Sequence, residues 1–188
     1  MKKFYFSVIG LVLFLFTSFA SAQDIYMQVG ILTAGAGTGT NPAYKDFTRI
    51  SSIQFGAANS GTITGGGAGA GKASFRDIVI TKNINISSTK FLQALAKGSH
   101  IARVAIVTTG HDRDGQEYVA HKMEFEDVLF TEASSSQIEG CPGNCPGIAE
   151  SFKFTYGTIK ITTYGANSKG DVAVTGVFDW NVAENISN

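Results

Sequence analysis

The segment from Gly66 to Lys72 reads GGAGAGK and matches the first seven positions of the phosphate-binding Walker A motif. The eighth position of that motif is a Ser or Thr that holds magnesium, and here it is Ala73. A phosphate-binding loop also opens a helix whose N-terminal amides meet the phosphate, whereas residues 73–84 have the β-branched composition of a strand. The sequence therefore argues against nucleotide binding at this loop.

Histidines and aspartates lie close together around residue 112. His111 and Asp112 occupy a polar turn, and His121 lies in the segment that follows. A His–Asp pair can bind a metal or transfer protons, but the spacing places no third ligand or nucleophile nearby. Asp112 and Asp114 also resemble the start of a calcium-binding loop, yet Met123 occupies the position of its later glutamate. We interpret these residues as a solvated turn and a polar strand position, and expect no metal and no cofactor.

A cluster of carboxylates, Glu124, Glu126 and Asp127, lies in a segment of alternating polarity. Paired carboxylates can hydrolyse glycosidic bonds, so a secreted hydrolase using Glu124, Glu126 or His121 is one hypothesis. An exposed strand face explains the cluster more simply, and we expect a protein without enzymatic activity.

The two cysteines, Cys141 and Cys145, lie in the segment GCPGNCPG. In an oxidising compartment a local disulfide is the first expectation, because the surrounding prolines and glycines favour a tight reversal of the chain. A loop this short would stabilise the fold only slightly. Free thiols and an intersubunit disulfide are the alternatives.

Residues 1–22 have the features of an export signal. Two lysines precede an apolar stretch over residues 4–16, and an A-x-A sequence ends at Ala22. Cleavage there would make Gln23 the mature N-terminus, and an uncleaved membrane anchor is the alternative. We expect an exported bacterial protein, periplasmic or secreted.

Residues 23–188 are long enough for one domain with a sizeable core. Two of the 15 basic residues precede residue 23, so this part carries 13 basic and 15 acidic residues, a net charge of −2. That balance gives no electrostatic basis for binding nucleic acid or anionic lipid. No second apolar stretch approaches membrane-spanning length, so we expect no membrane association after signal removal.

Apolar and polar residues alternate along most of this domain, which predicts a strand-rich fold. The predicted strands cover residues 24–32, 44–55, 73–84, 102–110, 117–133, 150–165 and 171–185. Turn signals separate them, and no internal repeat or linker divides the chain. The pattern indicates a mainly β fold, a two-sheet antiparallel β-barrel or sandwich.

One short flanking helix is predicted at about 88–97, because Phe91, Leu92 and Leu95 fall on one helical face. Ser87 or Ser88 can cap its start. The Asp114-Gly115 pair predicts a two-residue hairpin turn between the strands on either side, and Gly157 predicts a β-bulge.

The glycine-rich loop between the second and third predicted strands has almost no side chain to bury. Ordering such a loop costs conformational entropy that its own contacts cannot offset. The loop therefore either stays a flexible connection or becomes ordered against something outside the chain, and we favour the second possibility.

Six segments, taken in order along residues 24–182, resemble the hemolysin-coregulated protein (Hcp) family, which forms the inner tube of type VI secretion systems. They read DIYMQV, ISSIQFGAANS, GKASFRDIVITKNINISSTKFLQALAKGSHI, QEYVAHKMEFEDVLFTEASSS, ESFKFTYGTIKITTY and FDWNV.

The resemblance implies a β-barrel with one flanking helix that assembles into a homohexameric ring. Rings of this family stack into a tube, carry effector proteins in the lumen and meet a spike protein. It also implies that the glycine-rich loop contacts a neighbouring subunit or ring. The corresponding intersubunit residues here are Ser60, Gly61, Gly65, Gly66, Gly67, Gly69, Gly71 and Lys72.

The export signal is a departure from the family, whose tube proteins ordinarily lack one because they assemble in the cytoplasm. Export would separate this chain from the contractile sheath and baseplate. The resemblance therefore implies either a tube component or an exported relative with the same ring architecture. An extracellular carbohydrate- or surface-binding β-sandwich is the alternative function, although the single Trp180 lies in an apolar strand where a core position is expected.

Overall fold

A computed structural model describes residues 23–36, 42–61, 72–136, 149–167 and 171–187. These residues form one α-helix, α1 (Ser88–Ala96), and two single-turn 3-10 helices, Gly30–Thr33 and Pro42–Tyr44. The strands are β1 (Ile25–Gln28), β2 (Thr48–Ile50), β3 (Ser52–Gln54), β4 (Ala57–Asn59), β5 (Ala73–Phe75), β6 (Ile78–Asn83), β7 (Ile101–His111), β8 (Glu117–Ser136), β9 (Ala149–Thr155), β10 (Thr158–Ala166), β11 (Val172–Asn181) and β12 (Ile186–Ser187).

Two antiparallel sheets share the long strand β8. Sheet I has the order β12-β11-β10-β8-β7-β1-β2, and sheet II has the order β3-β6-β9-β8. Strands β4 and β5 form a separate two-stranded ribbon. The prediction of a mainly β, two-sheet antiparallel fold with one short helix is confirmed.

The bend in β8 allows one strand to serve both sheets. Residues up to Val128 pair with β7, whereas residues from Leu129 onward pair with β9. Just before this change of partner, Asp127 has a φ of 52°, a conformation that Asp tolerates better than most residues. Gly157 lies against this bend, where an added Cβ would be 3.1 Å from the Asp127 Cβ. The predicted bulge at Gly157 is therefore wrong: this glycine lies in the link between β9 in sheet II and β10 in sheet I.

The opposite corner of the barrel lies between β2 and β3, where the sequence predicts one continuous strand over 44–55. The strand breaks at Ser51, whose amide donates to the Thr81 carbonyl oxygen at 2.7 Å. β2 then pairs with β1 in sheet I, and β3 pairs with β6 in sheet II. The predicted 24–32 strand is likewise shorter, because a 3-10 turn follows Gln28.

Six aromatic rings form the centre of the core. The Phe125 ring packs edge-on against Phe154 and Tyr156, with centroids 5.3 and 5.0 Å apart. Phe91 brings α1 onto this cluster, with ring centroids 5.2 Å from Phe130 and 5.4 Å from Phe152. All six side chains are buried.

The helix agrees with its predicted bounds but differs in its exposed face and its first turn. Leu92, which the sequence places beside Phe91 on the packed face, is 54% exposed. Ser87 makes no side-chain cap to the helix. The Ser88 hydroxyl instead accepts from the Asn85 amide at 2.9 Å, outside the helix.

The predicted two-residue hairpin turn at Asp114-Gly115 is wrong in length. His111 pairs with Glu117, so five residues connect β7 and β8. Gly115 still supplies the left-handed conformation, with a φ of 79°. The Asp112 carboxylate closes the turn by accepting from the Asp114 and Gln116 amides at 2.9 and 2.8 Å.

Candidate assembly surface

The β4–β5 ribbon carries the two ends of the glycine-rich loop. Ala58 pairs with Ser74 in the middle of the ribbon, and Ser60, Gly61 and Lys72 are exposed at its end. The remaining loop glycines of the prediction, Gly65, Gly66, Gly67, Gly69 and Gly71, lie outside the described residues. An isolated two-stranded ribbon is marginally stable at best in water. The contacts of the ribbon with the rest of the protein therefore determine its position.

Four aromatic rings join the ribbon to sheet I, and we call them the aromatic patch. The Phe75 ring lies 6.4 Å from Phe55, 6.2 Å from Phe178 and 6.1 Å from Trp180 between centroids. Phe55 is 40% exposed and Phe178 is 39% exposed. Half-exposed aromatic clusters of this kind are typical of surfaces that bind another protein.

Strand β11 is exposed on both faces of sheet I. Register with β10 places Val174 and Val177 beside Tyr164 and Thr162 on one face, while Phe178 joins the aromatic patch on the other. Val174 is 56% exposed and Val177 is 59% exposed. The alternation of apolar residues predicts this strand correctly, but its apolar side chains largely face outward rather than into the core.

The free edge of β11 is also apolar. Within the described part of the chain, β12 pairs with β11 only at Trp180 and Asn181. Residues 172–178 read VAVTGVF and contain none of the charges or prolines that usually protect an exposed sheet edge. An edge of this kind is a template for pairing with another strand.

The indole N–H of Trp180 is buried and has no hydrogen-bond partner among the residues that the structure describes. Buried tryptophans usually donate this hydrogen to an oxygen atom. Trp180 is only partly buried as a residue and packs at the margin of the core. The donor atom is shielded from solvent by its own chain.

The carboxylates of the hydrolase hypothesis are part of a charged band on sheet I. Glu124 forms ion pairs with Arg103 and with Lys122, the latter at 2.8 Å. In the same band Lys160 pairs with Asp179 at 3.3 Å. Two cations therefore neutralise Glu124. This arrangement suits a solvated strand face better than a pair of catalytic carboxyl groups.

The histidines do not converge with these carboxylates into a metal site. His121 lies in β8 opposite Thr108 and Thr163, and burial lowers its pKa. His111 is exposed at the end of β7. Within the described ranges, no three His, Cys, Asp or Glu side chains lie close enough to bind a metal ion together.

A buried lysine that sequence reasoning missed lies where α1 begins. The Lys82 ammonium donates to Glu150 at 2.9 Å, to Ser88 Oγ at 2.8 Å and to Asn85 Oδ1 at 3.1 Å. Its side chain is 0% exposed, and burial lowers its pKa although Glu150 opposes that shift. Lys82 follows Ile78 and Ile80 on the same strand face. That position was a signal that the lysine points inward.

The remaining predicted residues are not part of the candidate assembly surface, by which we mean β11, the aromatic patch and the β4–β5 ribbon. Ala22, Cys141 and Cys145 lie outside the described residues, and Gln23 is exposed just before β1. No helix in the described part of the chain is long and apolar enough to cross a membrane.

The described residues form a two-sheet barrel with a flanking helix, an exposed apolar strand edge and a separate ribbon. Such an edge can pair with a strand of another chain. A family model described as type VI secretion system effector, Hcp, matches residues 26–163, which is most of the chain. The chain therefore belongs to the Hcp family of secreted, tube-type structural proteins. No curated protein is significantly similar to it in sequence.

Solved structures of Hcp proteins share the fold. A structure described as a type six secretion system protein aligns with a TM-score of 0.76 at 19% identity, covering 89% of this chain and 100% of that chain. Hcp1 from Salmonella typhimurium aligns with a TM-score of 0.65 at 19% identity, covering 89% and 99%. The secreted protein Hcp3 from Pseudomonas aeruginosa aligns with a TM-score of 0.59 at 20% identity, covering 85% and 99%.

Proposed function

We propose that this protein is a non-enzymatic structural protein that closes into a homohexameric ring through β11, the aromatic patch and the β4–β5 ribbon. The observation that carries the proposal is the exposed, uncharged edge of β11 over residues 172–178. A cyclic ring needs two different surfaces on each subunit. The ribbon, the aromatic patch and β11 are contiguous and supply one of these surfaces.

The neighbouring subunit is expected to cover three features at once. Strand pairing would satisfy the backbone groups at the edge of β11, and burial of Val174, Val177 and Phe178 would provide the hydrophobic contribution. The intersubunit role of residues 60–72 follows, because a neighbour would supply the contacts that this glycine-rich loop lacks.

The ring is proposed to act after export. In this proposal residues 1–22 are removed, residues 23–188 fold as one barrel domain, and Cys141 and Cys145 form a local disulfide in an oxidising compartment. Stacked rings would form a tube, with effector cargo in the lumen and a spike protein at its end. An exported relative that uses the same ring outside the cytoplasm is the form of this function that fits the signal.

Charge introduced on β11 tests the proposal. The double variant Val174→Lys/Val177→Lys should lose the ring, because pairing would bury two ammonium groups that are solvated in the monomer. Size-exclusion chromatography with light scattering measures the oligomer, and circular dichroism checks the fold. Leu92→Lys is the matched control, since Leu92 is 54% exposed on α1, away from β11. A folded double variant with the wild-type oligomer mass would refute the proposal.

A further inference from the structure

Near the end of β6, the buried Lys82 side chain contacts the side chain of Asn85, which follows the strand. The distance between Lys82 Nζ and Asn85 Oδ1 is 3.1 Å, and the lysine side chain is 0% exposed. Burial lowers the pKa of Lys82, and a desolvated lysine is a better nucleophile because burial favours its neutral amine. The contact therefore places an amine nucleophile against a carboxamide, whose carbon an amine can attack.

Hydrogen bonds orient the Asn85 amide and polarise its carbonyl group. The Ser87 backbone amide and the Ser87 hydroxyl both donate to Asn85 Oδ1, at 2.9 and 2.6 Å. Asn85 Nδ2 donates to Thr48 Oγ1 at 2.6 Å, and Ser87 and Thr48 are both buried. Donors aimed at a carbonyl oxygen stabilise the negative charge that develops there when a nucleophile attacks the carbon.

Glu150 is placed to act as the base. Its Oε2 accepts from Lys82 Nζ at 2.9 Å and from the Ser88 hydroxyl at 2.6 Å. A carboxylate in contact with an ammonium can take one of its protons and later return a proton to a departing amine. The Lys82–Glu150 ion pair is therefore the starting state for attack by the lysine.

We propose that Lys82 and Asn85 react within the folded chain to form an amide bond between their side chains. A small change in the lysine torsions moves Nζ from Oδ1 to the adjacent Asn85 Cγ. The Nζ–Cγ bond forms and the Cγ–Nδ2 bond breaks. Of the three protons on Nζ, one stays on the new amide, one is taken by Glu150, and one leaves with Nδ2 as ammonia. No oxidant or cofactor takes part.

The reaction replaces a buried ion pair by neutral groups. Keeping an ammonium and a carboxylate out of water is costly, whereas the products inside the protein are an amide and a carboxylic acid. The fold holds the reacting groups together, which lowers the barrier relative to a reaction between free groups. Asn85 also lines a groove of about 580 Å³ that includes Ile84, which is 50% exposed, so ammonia has a route to solvent.

The amide would join the end of β6 to the segment that leads into α1. The loop that it closes is short, so the bond removes little entropy from the unfolded chain and stabilises the fold only slightly. Its effect is local and permanent: residues 82–85 remain a closed loop even in the denatured chain. That property makes the bond detectable after digestion.

Tryptic digestion of the denatured wild-type protein tests the proposal. If the side chains are free, trypsin cuts after Lys82 and gives peptides 77–82 and 83–90 at their sequence masses. The amide removes the charge that trypsin recognises, so this cut is blocked. We expect a single peptide, 77–90, that is lighter by about 17 Da, the mass of the ammonia lost. Two separate peptides at their sequence masses would overturn the proposal.

Acetylation separates this amide from a succinimide, which forms when the backbone attacks an asparagine side chain and also releases ammonia. A succinimide at Asn83 or Asn85 leaves the Lys82 amine free. Acetylation of the denatured protein should therefore label Lys82 in a succinimide but not in the proposed amide. Lys90 is the internal control, since it should be labelled in both cases. A peptide that has lost ammonia and is acetylated at Lys82 would contradict the proposal.

Three variants test the roles proposed for these groups. Asn85→Ala removes the electrophile and Glu150→Gln removes the base, so neither should give the uncut, lighter peptide. Asn83→Ala is the matched control: it removes the neighbouring asparagine side chain but keeps the backbone carbonyl that accepts from Lys82 at 3.0 Å, and it should react like wild type.

Circular dichroism shows which of these variants fold. A folded Asn85→Ala or Glu150→Gln protein that still gives the uncut, lighter peptide would refute the assignment, as would a folded Asn83→Ala protein that does not give it. The wild-type digest decides whether the bond exists even if a variant does not fold.

Discussion

Lys82 places a buried ammonium group at the junction of β6, α1 and β9. Four oxygen atoms lie within hydrogen-bond distance of its three N–H groups, including the carbonyl of Asn83 at 3.0 Å and the carboxylate of Glu150 at 2.9 Å. The same carboxylate accepts from the Ser88 hydroxyl at 2.6 Å. Because desolvation of an ammonium is costly, this arrangement depends on its buried counter-ion, Glu150.

Glu150→Gln is therefore expected to lower the free energy of unfolding by about 3 kcal/mol, since it leaves a buried ammonium without its counter-ion. Denaturant unfolding at fixed protein concentration measures the change. Asp77→Asn is the matched control: it removes one carboxylate from a half-exposed pair with Lys153 at 3.7 Å, which should cost less than about 1 kcal/mol. Equal decreases in the free energy of unfolding of the two variants would show that the buried ion pair contributes no more than the half-exposed one.

Tyr156 connects the core to the chain that leads into β6. Its hydroxyl donates to the Arg76 carbonyl oxygen at 3.2 Å, and its side chain is buried. Burial, with a smaller contribution from Asp77, raises its pKa from 10.0 to about 12. Between these values the unfolded chain loses a proton that the folded chain keeps, so the stability due to Tyr156 falls as the pH rises.

The difference in unfolding free energy between wild type and Tyr156→Phe should therefore shift against the wild type between pH 10 and pH 12. Unfolding curves at a series of pH values from neutral upward measure this difference. Tyr26 and Tyr44, whose pKa values burial also raises, are present in both proteins and cancel. A difference that stays constant across this range would contradict the assignment.

At the scale of elements, the bend in β8 makes the two sheets into one barrel. The strand has 20 residues, and its change of partner depends on the left-handed backbone at Asp127. Gly157 packs against the same point, and its amide donates to the Glu126 carbonyl oxygen at 2.9 Å. A residue that resists positive φ would strain the bend.

Asp127→Val should cost about 1–2 kcal/mol, because β-branched residues disfavour this conformation. Asp127→Gly should cost less than Asp127→Val, since glycine adopts positive φ readily. Thr131→Val is the control, an exposed β8 position without positive φ. Thermal or denaturant unfolding measures all three. If Asp127→Val lowers the free energy of unfolding no more than Thr131→Val does, the bend does not require a residue that tolerates positive φ.

Elements with a strong local pattern could be predicted from the sequence. The points where the chain passes from one sheet to the other, and the partners of buried polar side chains, could not. The alternation from Tyr118 to Phe125 is local and identifies β8. The break at Ser51 depends on a hydrogen bond to Thr81 in the other sheet, which no local pattern records. Lys82 likewise pairs with Glu150, 68 residues away.

The assembly surface was the least predictable part for a different reason. Val174 and Phe178 in β11 show the same period-2 alternation as a core strand. A sequence pattern distinguishes apolar from polar faces, but a face that meets a permanent second subunit can be as apolar as one that meets the core. Only the fold reveals that β11 lies at the edge of sheet I with its apolar side chains exposed.

At the scale of the whole molecule, one side of the subunit exposes apolar side chains and an unpaired strand edge. Its aromatic patch and its uncharged edge strand lie together. Membership of the Hcp family, shown over residues 26–163, supplies the architecture that would complete them. The charged band on sheet I forms its ion pairs within the chain.

Native mass spectrometry of the purified protein over a range of concentrations tests the ring most directly. The account predicts the mass of a hexamer built from chains that begin at Gln23, persisting on dilution. A monomer mass at every concentration, with the fold intact, would contradict it.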